Sequence, residues 1–253
     1  DVGIAEQHAV TFAAGLASKG FRPVFAVYST FLQRAYDQIL HDAAIGRLHV
    51  VLAVDRAGLV GDDGETHQGI YDVAFLSSIP GVQIFAPASY QELEALLERA
   101  VYRETGVIAV RYPRGSQPEG LPEPDSGDGD YRRLGESGKR AAVSYGRTFA
   151  SLWKASRELE QPPAVYQLRK IYPLPEGLLE ELLEFQEIFF FEEAEAAGSI
   201  SEHLEAALCA RGWKGRFEAV TLPSAFIPQG RVPDLLAEYG LDQESIRRRL
   251  QEE

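Results

Sequence analysis

Short apolar runs alternate with mixed polar and apolar segments along the first part of the chain, and each run is nearly continuous in apolar character. Such runs are typical of strands that are covered on both faces, as they are in a parallel sheet. The pattern predicts strands at 23–28, 49–54, 82–85 and 107–111. Helices are predicted between them, at 6–19, 31–45 and 90–103. Because strand and helix alternate, this region is predicted to form an open α/β sheet.

A second region of the same kind follows a stretch of different character. Residues 116–139 are rich in glycine, proline and acidic residues and lack periodicity, which predicts a linker between domains. Beyond it, strands are predicted at 141–145, 164–168, 187–191 and 217–220. Helices are predicted at 147–160, 176–185, 199–211 and 243–251. The sequence therefore predicts an α/β protein with two open parallel-sheet domains, 1–115 and 140–253.

Composition narrows the class of protein. The chain has 253 residues, of which 45% are hydrophobic, and a net charge of −13. Such an acidic chain repels nucleic acid and anionic lipid, so neither is expected as a partner. No apolar run approaches the roughly 18 residues that a membrane span needs. The single cysteine, Cys209, lies in a predicted apolar helix face, is expected to be a buried thiol, and suits a reducing cytoplasm.

Polar segments follow successive strands of the first predicted sheet. They are YSTFLQRAYDQ at 28–38, the glycine-rich DRAGLVGDDGETHQG at 55–69, and RYPRG at 111–115. A further polar candidate, Glu6, precedes these segments in the chain. Ordinary structural explanations exist as well: Phe31 suits a core, and Glu6 suits the first turn of a helix. Because the carboxyl ends of parallel strands share one edge of a sheet, the segments together predict a ligand site for an anion.

These three strings, together with the first 17 residues, carry a resemblance to a known family. They resemble the 1-deoxy-D-xylulose-5-phosphate synthases, which belong to the thiamine-diphosphate-dependent transketolase-like enzymes, and they are DVGIAEQHAVTFAAGLA, YSTFLQRAYDQ, DRAGLVGDDGETHQG and RYPRG. A looser resemblance continues in IYPLP at 171–175 and FIPQG at 226–230. It implies that 1–115 is a transketolase-type pyrimidine-binding domain, incomplete at its N-terminus. It also implies that 140–253 is a transketolase-type C-terminal domain.

The resemblance implies a chemistry and roles for particular residues. Members of the family condense pyruvate, with loss of carbon dioxide, with glyceraldehyde 3-phosphate, and the product serves isoprenoid and thiamine biosynthesis. Thiamine diphosphate supplies the electron sink. By matched position, Glu6 would bond N1′ of its aminopyrimidine, Phe31 would stack on that ring, and Arg34 would order the pocket. His67, with Asp63 in the same loop, would transfer protons at the substrate oxygens.

The same resemblance assigns the substrate phosphate to three residues, Tyr28, Arg56 and Arg114. Two arginines suit a phosphate dianion because each guanidinium can donate paired hydrogen bonds. Their local positive charge would also offset the net charge of −13, which otherwise disfavours anionic substrates.

A metal site is not predicted within this chain. The family binds the cofactor's diphosphate and Mg²⁺ through Gly-Asp-Gly followed some residues later by asparagine. The string GDG at 127–129 lies in the predicted linker, and the chain has no asparagine. The Mg²⁺ ligands are therefore expected in an N-terminal domain or a complementary chain outside this sequence. The chain alone is expected to be inactive, and the family resemblance suggests a homodimer.

Two alternatives remain open from the sequence. The chain could instead resemble a transketolase or the β subunit of a 2-oxoacid dehydrogenase, whose metal-binding part can lie on another chain. The strings YSTFLQRAYDQ and RYPRG argue against this alternative. The chain could also be a non-catalytic module that binds a partner, but the retention of Glu6, His67 and the arginines argues for a working site.

Overall fold

Two five-stranded sheets with flanking helices make up the computed structural model, which describes residues 2–135 and 138–252. The first sheet has the order β1-β2-β4-β3-β8 and contains β1 (Val24–Tyr28), β2 (Val50–Asp55), β3 (Gln83–Phe85), β4 (Val107–Arg111) and β8 (Lys170–Tyr172). The second has the order β10-β9-β6-β7-β5 and contains β5 (Tyr131–Leu134), β6 (Arg140–Tyr145), β7 (Ala164–Leu168), β9 (Glu187–Glu195) and β10 (Arg216–Leu222).

The prediction of two open, mostly parallel sheets is confirmed. Strands β1, β2, β4 and β3 pair in parallel in the first sheet, as do β10, β9, β6 and β7 in the second. Every residue of β4 and β7 is buried, which explains why their sequences are mostly apolar. An antiparallel strand lies at one edge of each sheet, β8 in the first and β5 in the second.

Neither antiparallel edge strand is predicted from the sequence. Strand β5 lies inside 116–139, so part of the predicted linker is paired with β7. Strand β8 comes from the second half of the chain but pairs with β3 of the first sheet. The boundaries 1–115, 116–139 and 140–253 stay a prediction, and the chain crosses between the two sheets more than once.

The helices pack on both faces of the sheets. They are α1 (Glu6–Ala17), α2 (Ser29–Leu32), α3 (Tyr36–Gln38), α4 (Asp72–Ser77), α5 (Tyr90–Tyr102), α6 (Gly146–Arg157), α7 (Glu176–Leu182), α8 (Ile200–Ala210), α9 (Val232–Glu238) and α10 (Gln243–Gln251). Helix α5 begins after a capping residue, Ser89, whose hydroxyl accepts a hydrogen bond of 3.1 Å from the N–H of Glu92. The short helices α4 and α9 are not predicted from the sequence.

Two expectations about local structure need correction. The predicted helix at 31–45 is broken, because a 3-10 turn (Gln33–Ala35) separates α2 from α3, and a π-helical turn (Ile39–Ala44) follows. Cys209 is exposed rather than buried. The buried face of α8 is formed instead by residues such as Leu204 and Leu208.

Every helix within residues 2–135 and 138–252 is too short or too polar to span a membrane.

A buried chain of polar groups connects the two halves. Arg111, at the end of β4, donates to both carboxylate oxygens of Asp72 at 2.9 and 3.1 Å. Its guanidinium carbon lies 5.4 Å from the ring centre of Tyr145, whose hydroxyl donates to Glu192 at 2.7 Å. Glu192 also accepts bonds of 3.2 and 2.7 Å from the first two N–H groups of α8. Burial alone would lower the pKa of Arg111, but the Asp72 carboxylate raises it, so Arg111 stays charged.

A second buried cluster forms around Glu92 on α5. Its carboxylate accepts hydrogen bonds from Gln167 at 2.8 Å, from Arg169 at 2.8 Å and from the N–H of Ala88 at 2.8 Å. Arg169 also donates to Asp125 at 2.5 Å, which ties the segment after β4 to both halves. Buried charges that are paired in this way fix the relative position of the elements that carry them.

Asp72→Ala is expected to lower the free energy of unfolding by about 3–5 kcal/mol, because it leaves the buried charge of Arg111 without its partner. Urea denaturation of the chain measures the loss. The matched control is Asp234→Ala, which breaks an exposed ion pair with Arg231 and is expected to leave the urea midpoint unchanged. Equal midpoints for Asp72→Ala and wild type would contradict the importance of the buried pair.

Candidate functional site

The carboxyl ends of β1, β2 and β4 meet at one edge of the first sheet. In the parallel register, Tyr28 lies opposite Asp55, and Val54 lies opposite Arg111. The three segments after these strands therefore leave the sheet side by side. They carry seven of the eight candidate residues, and the eighth, Glu6, begins helix α1.

Glu6 is nearly buried and, among the residues that the structure describes, only weakly bonded. It is 7% exposed, and Arg34 donates to its Oε2 over a long distance of 3.4 Å. A carboxylate can accept about four hydrogen bonds, and burial makes unused acceptor capacity costly. Glu6 is therefore suited to accept a hydrogen bond from a ligand that enters beside it.

The aromatic side chains of the site form one continuous stack. Phe31 stacks on Tyr28, with ring centres 5.5 Å apart and an interplanar angle of 13°. The ring of His67 meets Phe31 edge-on at 5.4 Å. The guanidinium carbon of Arg34 lies 5.3 Å from the Phe31 ring centre. These contacts connect Arg34, which donates to Glu6, to the loop that carries His67.

Two arginines lie on the far side of this stack. The guanidinium carbon of Arg56 lies 3.7 Å from the Tyr28 ring centre, and Nη1 donates to Asp55 at 2.5 Å. Its Nε is buried and has no hydrogen-bond partner among the described residues. Arg114 donates to Asp63 at 2.8 Å. Arg56 and Arg114 line the same cavity of about 370 Å³.

This cavity also contains groups that the sequence analysis did not select. Arg147, at the start of α6, lines it together with Tyr112 of the RYPRG string. Burial and the nearby Asp55 carboxylate raise the pKa of the Tyr112 hydroxyl, which favours its neutral, hydrogen-bonding form. Tyr112 could have been selected because it stands in the RYPRG string between Arg111 and the candidate Arg114, whereas Arg147 lies in another predicted domain.

Glycines fold the long loop at 56–69 back on itself. Gly58 and Gly69 exchange backbone hydrogen bonds of 2.6 and 2.8 Å. A Cβ on Gly69 would lie 2.0 Å from the carbonyl oxygen of Arg56 and 2.8 Å from Cβ of Ser29, so this position admits only glycine. The neck of the loop thereby holds Arg56 against the start of α2.

His67 and Asp63 do not pair with each other in this loop. The His67 Nδ1 lies 2.8 Å from the hydroxyl of Thr66, and the Asp63 carboxylate pairs with Arg114. The second half of the chain supports the loop as well, because Gln68 donates to the carbonyl of Pro228 in the FIPQG string at 3.4 Å. The eight candidate residues nevertheless lie along one edge, with Glu6 at one end and the arginine-lined cavity at the other.

A metal centre is not found at this edge. Within residues 2–135 and 138–252, no group of three or more histidine, cysteine, aspartate or glutamate side chains could hold a metal ion. The Asp128 of the GDG string instead accepts a hydrogen bond from Arg103 at 3.0 Å.

Comparison with known proteins places the fold in a family. Residues 1–119 match the family model of the transketolase pyrimidine binding domain, and residues 129–246 match that of the transketolase C-terminal domain. The chain belongs to the transketolase-like family. Both matches agree with the resemblance that the sequence carries.

Two curated relatives of this transketolase-like chain carry the same name. The 1-deoxy-D-xylulose-5-phosphate synthase of Dechloromonas aromatica is 44% identical over 98% of the chain. The synthase of Lachnoclostridium phytofermentans is 42% identical over 97% of the chain. The chain spans 40% of the length of each of these two relatives.

Solved structures extend the comparison to the fold. A split gene transketolase, described as an inactive beta4 tetramer, has a TM-score of 0.86 and 25% identity. The match covers 98% of this transketolase-like chain and 82% of that one. A transketolase mutant from Pichia stipitis has a TM-score of 0.80 at 16% identity and is matched over 36% of its length, so it supports the fold alone.

Gly69→Ala is expected to lower the free energy of unfolding by about 1–3 kcal/mol, because the added methyl group collides with the backbone of Arg56. Urea denaturation again gives the measurement. Gly15→Ala is the control, since Gly15 lies in α1 with no neighbour within 4 Å of an added Cβ. That control is expected to gain up to about 1 kcal/mol. A Gly69→Ala chain as stable as wild type would show that the loop neck tolerates a side chain.

Proposed function

We propose that the chain provides the pyrimidine- and acceptor-binding part of a 1-deoxy-D-xylulose-5-phosphate synthase. In this proposal, pyruvate loses carbon dioxide and its remaining two carbons are joined to glyceraldehyde 3-phosphate. The observation that supports it is the common edge at which a buried carboxylate, an aromatic stack and an arginine-lined cavity follow one another. The identity of 44% to a relative of that name over nearly the whole chain supports the same activity.

The buried end of the site fits the aminopyrimidine of thiamine diphosphate. Glu6 has acceptor capacity to spare, which a protonated ring nitrogen would use, and Arg34 orients the carboxylate. Phe31 offers an aromatic ring beside it. When bound, the cofactor supplies the electron sink for decarboxylation. Because Glu6 is buried, water would not compete for the proton that its carboxylate holds at N1′.

The other end fits the phosphate of the acceptor aldehyde. Arg56 has a buried Nε without a partner among the described residues, and Arg114 lies on the same cavity. Tyr28 carries Arg56 on its ring face and can donate its hydroxyl. Guanidinium groups recognise phosphate through paired hydrogen bonds and supply a local positive charge. His67, whose ring contacts Phe31 between the two ends of the site, would act as proton donor or acceptor at the substrate oxygens.

The diphosphate and Mg²⁺ are assigned to a part of the enzyme outside the described residues. The chain spans 40% of its curated relatives, so this part would lie in the same polypeptide or on a second chain. The split gene transketolase, matched over 82% of its own chain, supports an arrangement in which these two domains form a chain of their own. A homodimer and a cytoplasmic location remain predictions that the family resemblance suggests.

Glu6→Gln is expected to lower the rate by about 10²–10⁴-fold, because an amide cannot exchange a proton with the cofactor as a carboxylate does. The assay measures product formation from pyruvate and glyceraldehyde 3-phosphate with the chain joined to its diphosphate-binding part. Glu65→Gln is the control, because Glu65 is exposed in the 56–69 loop.

Two results would contradict this proposal. A Glu6→Gln enzyme that keeps a near-normal rate would remove the carboxylate from its role. Robust turnover by the isolated chain, given both substrates, thiamine diphosphate and Mg²⁺, would show that the diphosphate-binding part is not required.

Arg56→Ala and Arg114→Ala are each expected to raise the KM for glyceraldehyde 3-phosphate by about tenfold or more, because each removes a charge-assisted contact to phosphate. The KM for pyruvate is expected to change little, since pyruvate carries no phosphate. Steady-state kinetics with each substrate varied in turn checks both values. Equal increases in the two KM values would show that the arginines do not act on the phosphorylated substrate.

A further inference from the structure

An ion pair from the second half of the chain lies against the loops of the site. Arg147, in the first turn of α6, donates from Nε to Glu193 of β9 at 3.1 Å and pairs through Nη2 with the other carboxylate oxygen. The Arg147 side chain is 14% exposed and that of Glu193 is 6% exposed. A two-point pair with little exposure holds both side chains in one orientation.

Both members of this pair grip the same residue of the 56–69 loop. Glu193 accepts a hydrogen bond of 2.6 Å from the N–H of Leu59, and Arg147 donates to the carbonyl of Leu59 at 3.0 Å. The preceding residue allows this approach because it is glycine. A Cβ on Gly58 would lie 2.7 Å from Cδ of Glu193.

The pair also reaches the other arginine-bearing segment. Nη1 of Arg147 lies 3.5 Å from the carbonyl oxygen of Arg114 and donates to it. Arg147 thus contacts the loop that begins with Arg56 and the segment that carries Arg114. It lines the same cavity as these two side chains.

We propose that Arg147 and Glu193 are positioning residues, which hold the two segments so that Arg56 and Arg114 can bind one phosphate group together. The inference rests on the proposed function, since it takes their cavity as the phosphate site. The donors of Arg147 are directed to Glu193 and to two backbone carbonyls, and its charge is offset by Glu193. Its contribution is therefore the order of the loops rather than attraction of the anion.

Positioning and simple charge predict opposite results for Glu193→Ala. Removing a negative charge beside an anion site strengthens anion binding if charge alone matters. If Glu193 positions the loop, the same change releases Leu59 and weakens binding. Arg147→Lys separates the two explanations as well, because lysine keeps the charge but cannot form the two-point pair.

The experiment measures the dissociation constant of inorganic phosphate for the full 253-residue chain by NMR titration at fixed ionic strength. Glu193→Ala and Arg147→Lys are each expected to weaken binding at least tenfold. Hydrogen exchange of the Leu59 N–H is expected to become at least tenfold faster in both variants. Glu193→Ala removes the carboxylate that accepts this hydrogen bond, and Arg147→Lys removes the two-point pair that holds the carboxylate in place.

Two matched controls exclude other causes. Tyr145→Phe removes a buried hydrogen bond to Glu192, the neighbour of Glu193 on β9. This variant is expected to leave the dissociation constant of phosphate within twofold of wild type. Arg157→Ala removes a positive charge from the same helix, where Arg157 lies against Trp153, and the same result is expected. Together they separate loop positioning from lower stability and from net charge.

The outcomes distinguish this inference from the proposal on which it rests. A wild-type chain that does not bind phosphate would overturn both the phosphate site and the positioning pair. A wild-type chain that binds phosphate, with Glu193→Ala binding as tightly or more tightly, would overturn the positioning pair alone. An Arg147→Lys chain that binds phosphate with the affinity of wild type would likewise overturn the positioning pair alone.

Discussion

The parallel register of β1, β2 and β4 is the constraint on which the geometry of the site depends. Because the side-chain direction alternates along a strand, a slip of one residue would turn each buried set of side chains to the opposite face. The pairing of Tyr28 with Asp55 and of Val54 with Arg111 fixes where each strand ends. Side chains from three separate segments therefore meet without any direct sequence connection between them.

The site also depends on charges placed between the two halves. The buried pair of Asp72 with Arg111 lies just below the strand ends, and the pair of Arg147 with Glu193 lies against the loops above them. In an interior of low polarity, such pairs admit few alternative arrangements, because moving one partner away leaves the buried charge of the other uncompensated. The second half of the chain thus helps to shape the site, although the candidate residues themselves come from the first half.

The sequence predicts the central strands well, because β2, β4 and β7 are short, mostly apolar and buried on both faces. It predicts the candidate residues through the order and spacing of their motifs. It does not predict β8, which has only three residues and is stabilised by pairing with a distant strand. Nor does it select Arg147 or Glu193, since Glu193 lies 134 positions from the Leu59 it holds, and a contact over that separation leaves no local pattern.

Strand β8 has a consequence for how a ligand reaches the site. Its main chain bonds with β3 close the edge of the first sheet, and Ala86 donates to the carbonyl of Arg169 at 2.8 Å just beyond them. A hinge between the two halves would have to break these backbone bonds and separate a shared apolar interior. A ligand that enters the site therefore meets two halves that main-chain hydrogen bonds and a common apolar core hold to each other.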